Sequence, residues 1–448
     1  MNKQIQKSFF NVRALCFIAT IVLFWSCEDN QKDDFGREDF DPSKPVRIDS
    51  FEPDSGGMAT KVFIHGSNFG SDLSKIEVYF NESRAPVVGS DGSHLYVITP
   101  RQPGREVTIS VVSNGKTAVF GGKKYLYRTM TTVTTLTGRK GTTAFQGGTL
   151  AEATFQYPST LCIDAEGNLF LSHWRVPYCF VLISPEKNLV QAVYPGSNDG
   201  IDAFGAPTAD ADGKVIMVPT DGGDGYYSFD PDAQWAPKSR LMLHPSQEQI
   251  ALGLAKDWSL TNAWKHGMSA CLLDKCIYTR FYNGNLVKFD PVTRQGTQVA
   301  ENLMTGDDSY PFFDPYQTNI LYIAYPSKHC IYTYDILTGV HELFAGVEAA
   351  SGYLDGDRKS ARFNCPSQLV VDNDGSIYVA DRYNHCIRRI TPDGMVSTAI
   401  GKGGISGYQD GNPEDALFWE PRGVAIDKNG YIYVAEWGNN VVRRLAVE

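Results

Sequence analysis

The chain has 448 residues, of which 42% are hydrophobic, 12% aromatic and 21% charged, with 42 Gly and 23 Pro. Turn formers and rings in this abundance, with no long amphipathic helical period, specify an all-β globular protein. The formal net charge of -10 comes with no basic stripe, which sets nucleic acid aside as a partner.

At the N-terminus, Lys3, Lys7 and Arg13 surround the start of the apolar run Ala14 to Trp25, a pattern that reads as an export signal too short to span a bilayer as a permanent helix. The run closes on Leu23-Phe24-Trp25-Ser26-Cys27, which resembles a bacterial lipobox, with Phe24 and Trp25 bulkier than its usual residues. The resemblance implies that residues 1–26 are removed and that Cys27 is lipidated, anchoring the mature chain stably. An ordinary secreted protein or a plain N-terminal anchor is the alternative. Residues 27–44 are polar and acidic, rich in Asp and Glu, and are expected to form a disordered tether. An acidic stretch in this place resembles the signal that sends lipoproteins to the outer face of the outer membrane in glycan-foraging Gram-negative bacteria. A solvated spacer carrying no address is the other reading.

From residue 45 to 128, short β runs alternate with turn signals. Val62 to His65, Ile76 to Phe80, Leu95 to Ile98, Val107 to Val112 and Lys124 to Tyr127 fit a small immunoglobulin-like sandwich. Pro53-Asp54-Ser55-Gly56 followed by Gly66-Ser67-Asn68-Phe69-Gly70 resembles the opening turn and corner of the IPT/TIG domain, a spacer in many bacterial surface proteins.

Residues 129–448 carry internal repeats, which decide the architecture. Ala361-Arg362-Phe363-Asn364-Cys365-Pro366 through Ile377-Tyr378-Val379-Ala380-Asp381 matches Ala416-Leu417-Phe418-Trp419-Glu420-Pro421 through Ile432-Tyr433-Val434-Ala435-Glu436, and the frame recurs from Ala153 to Ser172. With Asn384-His385-Cys386-Ile387 these segments resemble the NHL repeat. Three degenerate copies lie between, so a six-bladed β-propeller is expected. The last copy ends one strand short at Val441 to Leu445, and Thr131 to Leu136 is expected to supply the missing outer strand and remove the exposed edge.

Repeat register assigns loops to faces. The loops between second and third strands bring Trp174, Arg175, Arg280, Tyr282, Tyr325, Arg382, Tyr383 and Trp437 to one rim. Rings that stack the apolar face of a sugar, beside Arg, Asp and Asn that hydrogen-bond its hydroxyls, suit a glycan, and the same set suits a peptide. Bracing between neighbouring blades is the structural alternative for each residue. The segment from Ser239 to His266 fits no blade and reads either as a lid or as a packed helix carrying Ile250, Leu252, Leu254 and Trp258.

Seven cysteines lie beyond the signal and Cys27, with no CxxC pair and no zinc spacing. Cys271 and Cys276 could bridge a hairpin. Gly352-Tyr353-Leu354-Asp355-Gly356 and Gly407-Tyr408-Gln409-Asp410-Gly411 lack the spaced ligands of a calcium loop and read as turns. No metal or other cofactor is expected. His173, His329 and His385 fall in loops of the same face and leave a catalytic metal conceivable. The leading expectation is a non-catalytic lipoprotein at the cell surface that captures a glycan or peptide for an outer-membrane TonB-dependent uptake system, which resembles accessory lipoproteins of the starch-utilisation type. A scaffold docking a transporter or enzyme comes second, and a propeller lyase or lactonase third.

Overall fold

In the computed structural model, which describes residues 38–57, 60–100, 106–127, 131–173, 179–194, 204–220, 225–237, 241–251 and 265–447, the chain divides into units of residues 1–127 and 128–448. Burial of alternate residues builds the first. Ile76–Phe80 and Ile109–Ser113 turn Ile76, Val78, Phe80, Ile109 and Val111 inward, against Val62, Ile64, Leu95 and Val97 from Lys61–Ser67 and His94–Ile98. Two four-stranded antiparallel sheets enclose this core, with a three-stranded sheet of Ser55–Gly56, Tyr125–Tyr127 and Glu106–Val107 beside them.

The Gly-x-Asn-Phe-Gly corner has a physical reason. A Cβ on Gly66 would collide with the Arg47 carbonyl and the Phe69 ring. Asn68 takes the left-handed conformation at φ 61°, and its side chain accepts from the Asp41 N–H at 2.7 Å and donates to the Asp41 and Lys44 carbonyls, both at 2.9 Å. Residues 38–44, which composition alone assigns to the tether, are thereby fastened to the sandwich; Glu38 also donates its N–H to the Asp91 carbonyl.

The second unit is a six-bladed propeller. The first strands of the blades, Pro158–Ile163, Thr208–Ala209, Lys265–Ala270, Tyr310–Phe313, Pro366–Val371 and Pro421–Ile426, touch one another in sequence and close a ring. Second and third strands such as Leu169–His173 and Phe180–Ser184 are buried along their whole length, because neighbouring blades cover both faces, and so they read as continuous apolar runs. Thr131–Gly138 pairs antiparallel with Val441–Val447, setting Val133 opposite Leu445, and supplies the fourth strand of the last blade. Of the segment between the second and third blades, His244–Pro245 pairs parallel with the outer strand Gln295–Ala300, and a short helix, Gln247–Ala251, follows. Ile250 is 48% exposed; Leu252, Leu254, Trp258 and Trp264 lie outside the described residues.

The fifth and sixth blades each contain a fully buried arginine. Arg388 donates to Asp381 and the Arg362 carbonyl at 3.0 Å, to the Leu354 carbonyl at 2.9 Å and to Asp355 at 2.5 Å. Arg443 repeats the pattern with Glu436 at 2.9 Å, Gln409 and Leu417 carbonyls at 2.7 and 3.2 Å, and Asp410 at 2.5 Å. Tyr353 and Tyr408 stack on the two guanidinium groups at 4.9 and 5.3 Å. The two Gly-Tyr-x-Asp-Gly segments are therefore lids over buried arginines. The Nη groups of both arginines are bonded, while Nε of each finds no partner among the described residues; charge this deep persists because it is paired.

A second repeated device joins blade to blade. Tyr157, Cys365 and Glu420 precede the proline that opens a first strand, and all three are left-handed, with φ of 52°, 62° and 51°. Residues before proline avoid helical geometry, so an outside contact must hold them. Cys365 donates its N–H to His329 Nδ1 at 3.1 Å, Glu420 to His385 Nδ1 at 3.2 Å, and Tyr157 to Asn440 Oδ1 at 2.8 Å. Each acceptor belongs to the preceding blade and is itself left-handed, at φ of 56°, 56° and 60°. The second residue of the Asn-His signature, His385, and its counterparts His329 and Asn440 thus latch three consecutive blade junctions.

In the first blade, His173 occupies the place of Asp381 and Glu436, opposite the strand-opening proline. Its ring lies between Phe145 and Phe155, at 5.6 and 5.7 Å, and its Nε2 finds no hydrogen-bond partner among the described residues. Burial pulls its pKa down to about 3, and that of His341 to about 4, while burial also lowers His329 and His385. A histidine whose folded pKa lies below the unfolded value of about 6.5 contributes stability that is complete above that pH and declines as pH falls towards the folded pKa. Burial pushes the Asp381 and Glu436 carboxyls the other way, to about 6 and about 7, which favours the fold on acidification, so the histidine contribution must be isolated by substitution. Between about pH 8 and pH 5, His173 alone should cost about 2 kcal/mol. Urea unfolding of His173→Phe at both pH values should show an acid destabilisation smaller than that of the parent by that amount; an unchanged difference would show that His173 is not held neutral.

Candidate functional site

The pairing that puts Pro366 opposite Asp381 and Pro421 opposite Glu436 brings the start of each first strand and the loop after each second strand to one face, at the mouth of the ring. Arg382 opens the 3-10 turn Arg382–Asn384. Its Nη2 and Nε donate to Glu420 Oε2 at 2.7 and 3.1 Å, and its guanidinium stacks 4.6 Å from Tyr383 and 5.6 Å from Trp437. The latch on the Glu420 N–H is what presents that carboxylate to Arg382.

Trp437 is half-buried. Its ring meets Tyr157 at 4.9 Å and lies 4.7 Å from the Arg422 guanidinium. Arg422 in turn donates to the Tyr310 hydroxyl at 3.2 Å, joining the sixth blade to the fourth. On the third and fourth blades, His266 Nδ1 pairs with Asp308 at 3.1 Å. Among the described residues two rings stand open at this mouth: Tyr383 is 44% exposed and Trp419, next to Glu420, is 42% exposed. A side chain on Gly438 would run into the Trp419 indole, so that glycine is what lets the ring lie against the rim.

Below the mouth Gln368 accepts from the Leu161 and Val424 N–H groups at 3.1 and 3.3 Å and donates to the Leu161 carbonyl at 2.6 Å, tying together the first strands of the first, fifth and sixth blades. The upper mouth therefore carries rings and charged groups side by side, suited to a polar ligand that has apolar faces.

Of the residues expected at the rim, the structure brings Arg382, Tyr383 and Trp437 together. Tyr282 follows the strand Ile277–Phe281 and is half-buried. Arg280 and Tyr325 sit inside the wall. Arg280 is a strand residue, 1% exposed, and donates to the Leu303, Met304 and Asp307 carbonyls while stacking 4.9 Å from Tyr325. Tyr325 is fully buried and its hydroxyl meets His341 at 3.3 Å. Both brace the blades. Trp174, Arg175 and Cys27 lie outside the described residues. His173, His329 and His385 are not brought together, since the first lies between phenylalanine rings and the others hold latches. Among the described residues no group of three or more His, Cys, Asp or Glu side chains is arranged to hold a metal ion. Cys271 and Cys276 are free thiols joined across their hairpin by the Cys271 N–H and the Cys276 carbonyl. Sequence register missed Tyr157, Trp419, Glu420 and Arg422 because they belong to the strand-opening segment. The available signal was Trp419, which stands where the neighbouring repeat has Asn364 and which no core register requires.

Residues 45–127 match the IPT/TIG domain model and residues 363–390 the NHL repeat model. A structure of a Bacteroides thetaiotaomicron protein of unknown function is similar at 26% identity, covering 92% of this chain and 100% of that one, with a TM-score of 0.69. A second, from the same organism and described as an auxiliary nutrient binding protein, shares 26% identity over 92% of this chain and 99% of that one, with a TM-score of 0.60. Among curated proteins, the chloroplastic Suppressor of Quenching 1 of Arabidopsis thaliana is 24% identical over 317 residues, 68% of this chain and 26% of its own length. NHL repeat-containing protein 2 of Gallus gallus is 38% identical over 84 residues, 18% of this chain and 11% of its own length; the chain thus spans about a quarter or less of these two relatives. Fold and comparisons agree on an all-β protein in which an IPT/TIG sandwich precedes a six-bladed propeller of the NHL type.

Proposed function

We propose that this chain is a non-catalytic, lipid-anchored binding protein of the outer membrane that captures a glycan at the upper mouth of its propeller, on the cell-surface side, and passes it to a TonB-dependent transporter. The observation that carries the reading is the rim itself. The exposed rings of Tyr383 and Trp419 lie beside the Arg382–Glu420 pair at the mouth of the ring. Pyranose rings offer an apolar face to such aromatics, and their hydroxyls suit a guanidinium and a carboxylate held in fixed positions. The likeness to a Bacteroides protein described as an auxiliary nutrient binding protein, over nearly the full length of both chains, supports a binding role. The sandwich, pinned to its N-terminal segment by Asn68, suits a spacer between an anchor and the propeller.

Residues 28–448 should bind one or more members of a panel of bacterial, plant and host polysaccharides. An aromatic anchor at a binding site commonly contributes about 2 kcal/mol, so Tyr383→Ala and Trp419→Ala should each weaken that binding by about thirtyfold with melting temperature unchanged. Binding only to members of a parallel peptide panel would replace the glycan by a peptide, and full affinity in both variants would remove the rim as the site. The anchor rests on Cys27 after its short apolar run. Cys27→Ala should move the protein from the membrane to the soluble fraction of cells, and continued sedimentation with membranes would refute lipidation there.

A further inference from the structure

The ring has a second opening. Beneath Gln368, on the side of the turns joining first and second strands, lies a cavity of about 220 Å³ whose wall draws residues from all six blades. Ile163, Met268, Phe312, Phe313, Val370 and Ile426 give it a largely apolar surface. Four polar side chains reach the wall, and each is engaged by the protein's own backbone. Gln368 bonds to Leu161 and Val424; Ser269 Oγ accepts from the Phe313 N–H at 2.9 Å; Thr208 Oγ1 donates to the Ala209 carbonyl at 3.0 Å and accepts from Ala270 at 3.2 Å; Asp210 caps its turn through the Lys214 N–H at 2.7 Å. At the rim Leu272 is 39% exposed, so the space communicates with solvent.

Water against the apolar part of this wall finds few of the two to four polar partners it needs, while the Asp210 carboxylate and the Ser269 hydroxyl keep bonding capacity. An enclosed apolar space of about 150 Å³ takes up a benzene molecule, and this one, open at its rim, is larger by about half. Phenylalanine edges and a methionine sulfur favour aromatic guests over aliphatic ones of equal size. Gln368 lines this cavity and bridges first strands between it and the upper mouth.

We infer that the lower cavity is a binding site for an uncharged aromatic molecule of one or two fused rings, distinct from the upper rim and independent of the glycan reading. The guest is selected by shape and apolar surface alone, and it enters from the lower face.

The test uses naphthalene as probe and the soluble chain, residues 28–448. Saturation-transfer NMR titration should give saturable binding at one site, and Ala270→Phe, which places a ring in the cavity, should weaken it at least tenfold. Because a filled cavity can disturb folding, crystals of the unsubstituted protein under xenon pressure provide the second measurement, with a xenon atom expected between Met268, Phe312 and Val370. Non-saturable naphthalene binding, equal affinity in a folded Ala270→Phe protein, or ordered water in place of xenon would overturn the inference. A polysaccharide bound at the rim should leave naphthalene affinity unchanged.

Discussion

The structure turns on one hydrogen bond made three times. A left-handed residue before a proline offers its N–H to a left-handed His or Asn on the preceding blade, His329 to Cys365, His385 to Glu420 and Asn440 to Tyr157. Each side of the latch adopts a backbone conformation that costs of order 1–3 kcal/mol by itself, and the bond between them helps to hold both sides in it. Its geometric consequence reaches the rim directly. The latch on Glu420 sets the partner of Arg382, and the latch on Tyr157 sets the ring that supports Trp437. The rim residues described above therefore gather on the latched side of the ring, where the fifth, sixth and first blades meet.

Two further devices hold that side rigid. The buried arginines in the fifth and sixth blades tie the inter-blade link to the second and third strands, so the segments leading to Cys365 and Glu420 are fixed at both ends. Removing one partner of such a buried pair typically costs about 3–5 kcal/mol, which is comparable with much of a domain's net stability. Gln368 joins three first strands at the centre. A rim built on these contacts is preorganised, and preorganisation lowers the entropic cost of binding.

Much of this was legible in the sequence. The repeated frame from Ala361 to Asp381 and from Ala416 to Glu436 gave the blades, and the shortage of one strand after Leu445 gave the closure by Thr131 to Leu136, which the structure extends to Gly138, because an unpaired outer edge needs a partner. Register placed Arg382, Tyr383 and Trp437 correctly. It failed for Arg280, because the second strand of the third blade runs on to Phe281, which puts Arg280 within the strand and its guanidinium in the wall. Tyr325 was misjudged for a related reason, since the last residue of a second strand points inward, as Asp381 and Glu436 do. The buried arginines could not be read from alternation, because Cys-Ile-Arg-Arg-Ile looks like a strand with a solvated face. Their signal was an association: the Arg-Arg pair and the Gly-Tyr-x-Asp-Gly lid occur together in the last two blades.

Ligand capture on the latched rim is tested most directly by hydrogen exchange measured with and without the bound polysaccharide. Binding there should slow exchange in the segments around 381–386 and 418–440 and leave the first strands of the second and third blades and the sandwich unchanged. Slowed exchange confined to the sandwich, to the turns of the lower face or to residues 239–266, with the rim unaffected, would contradict it.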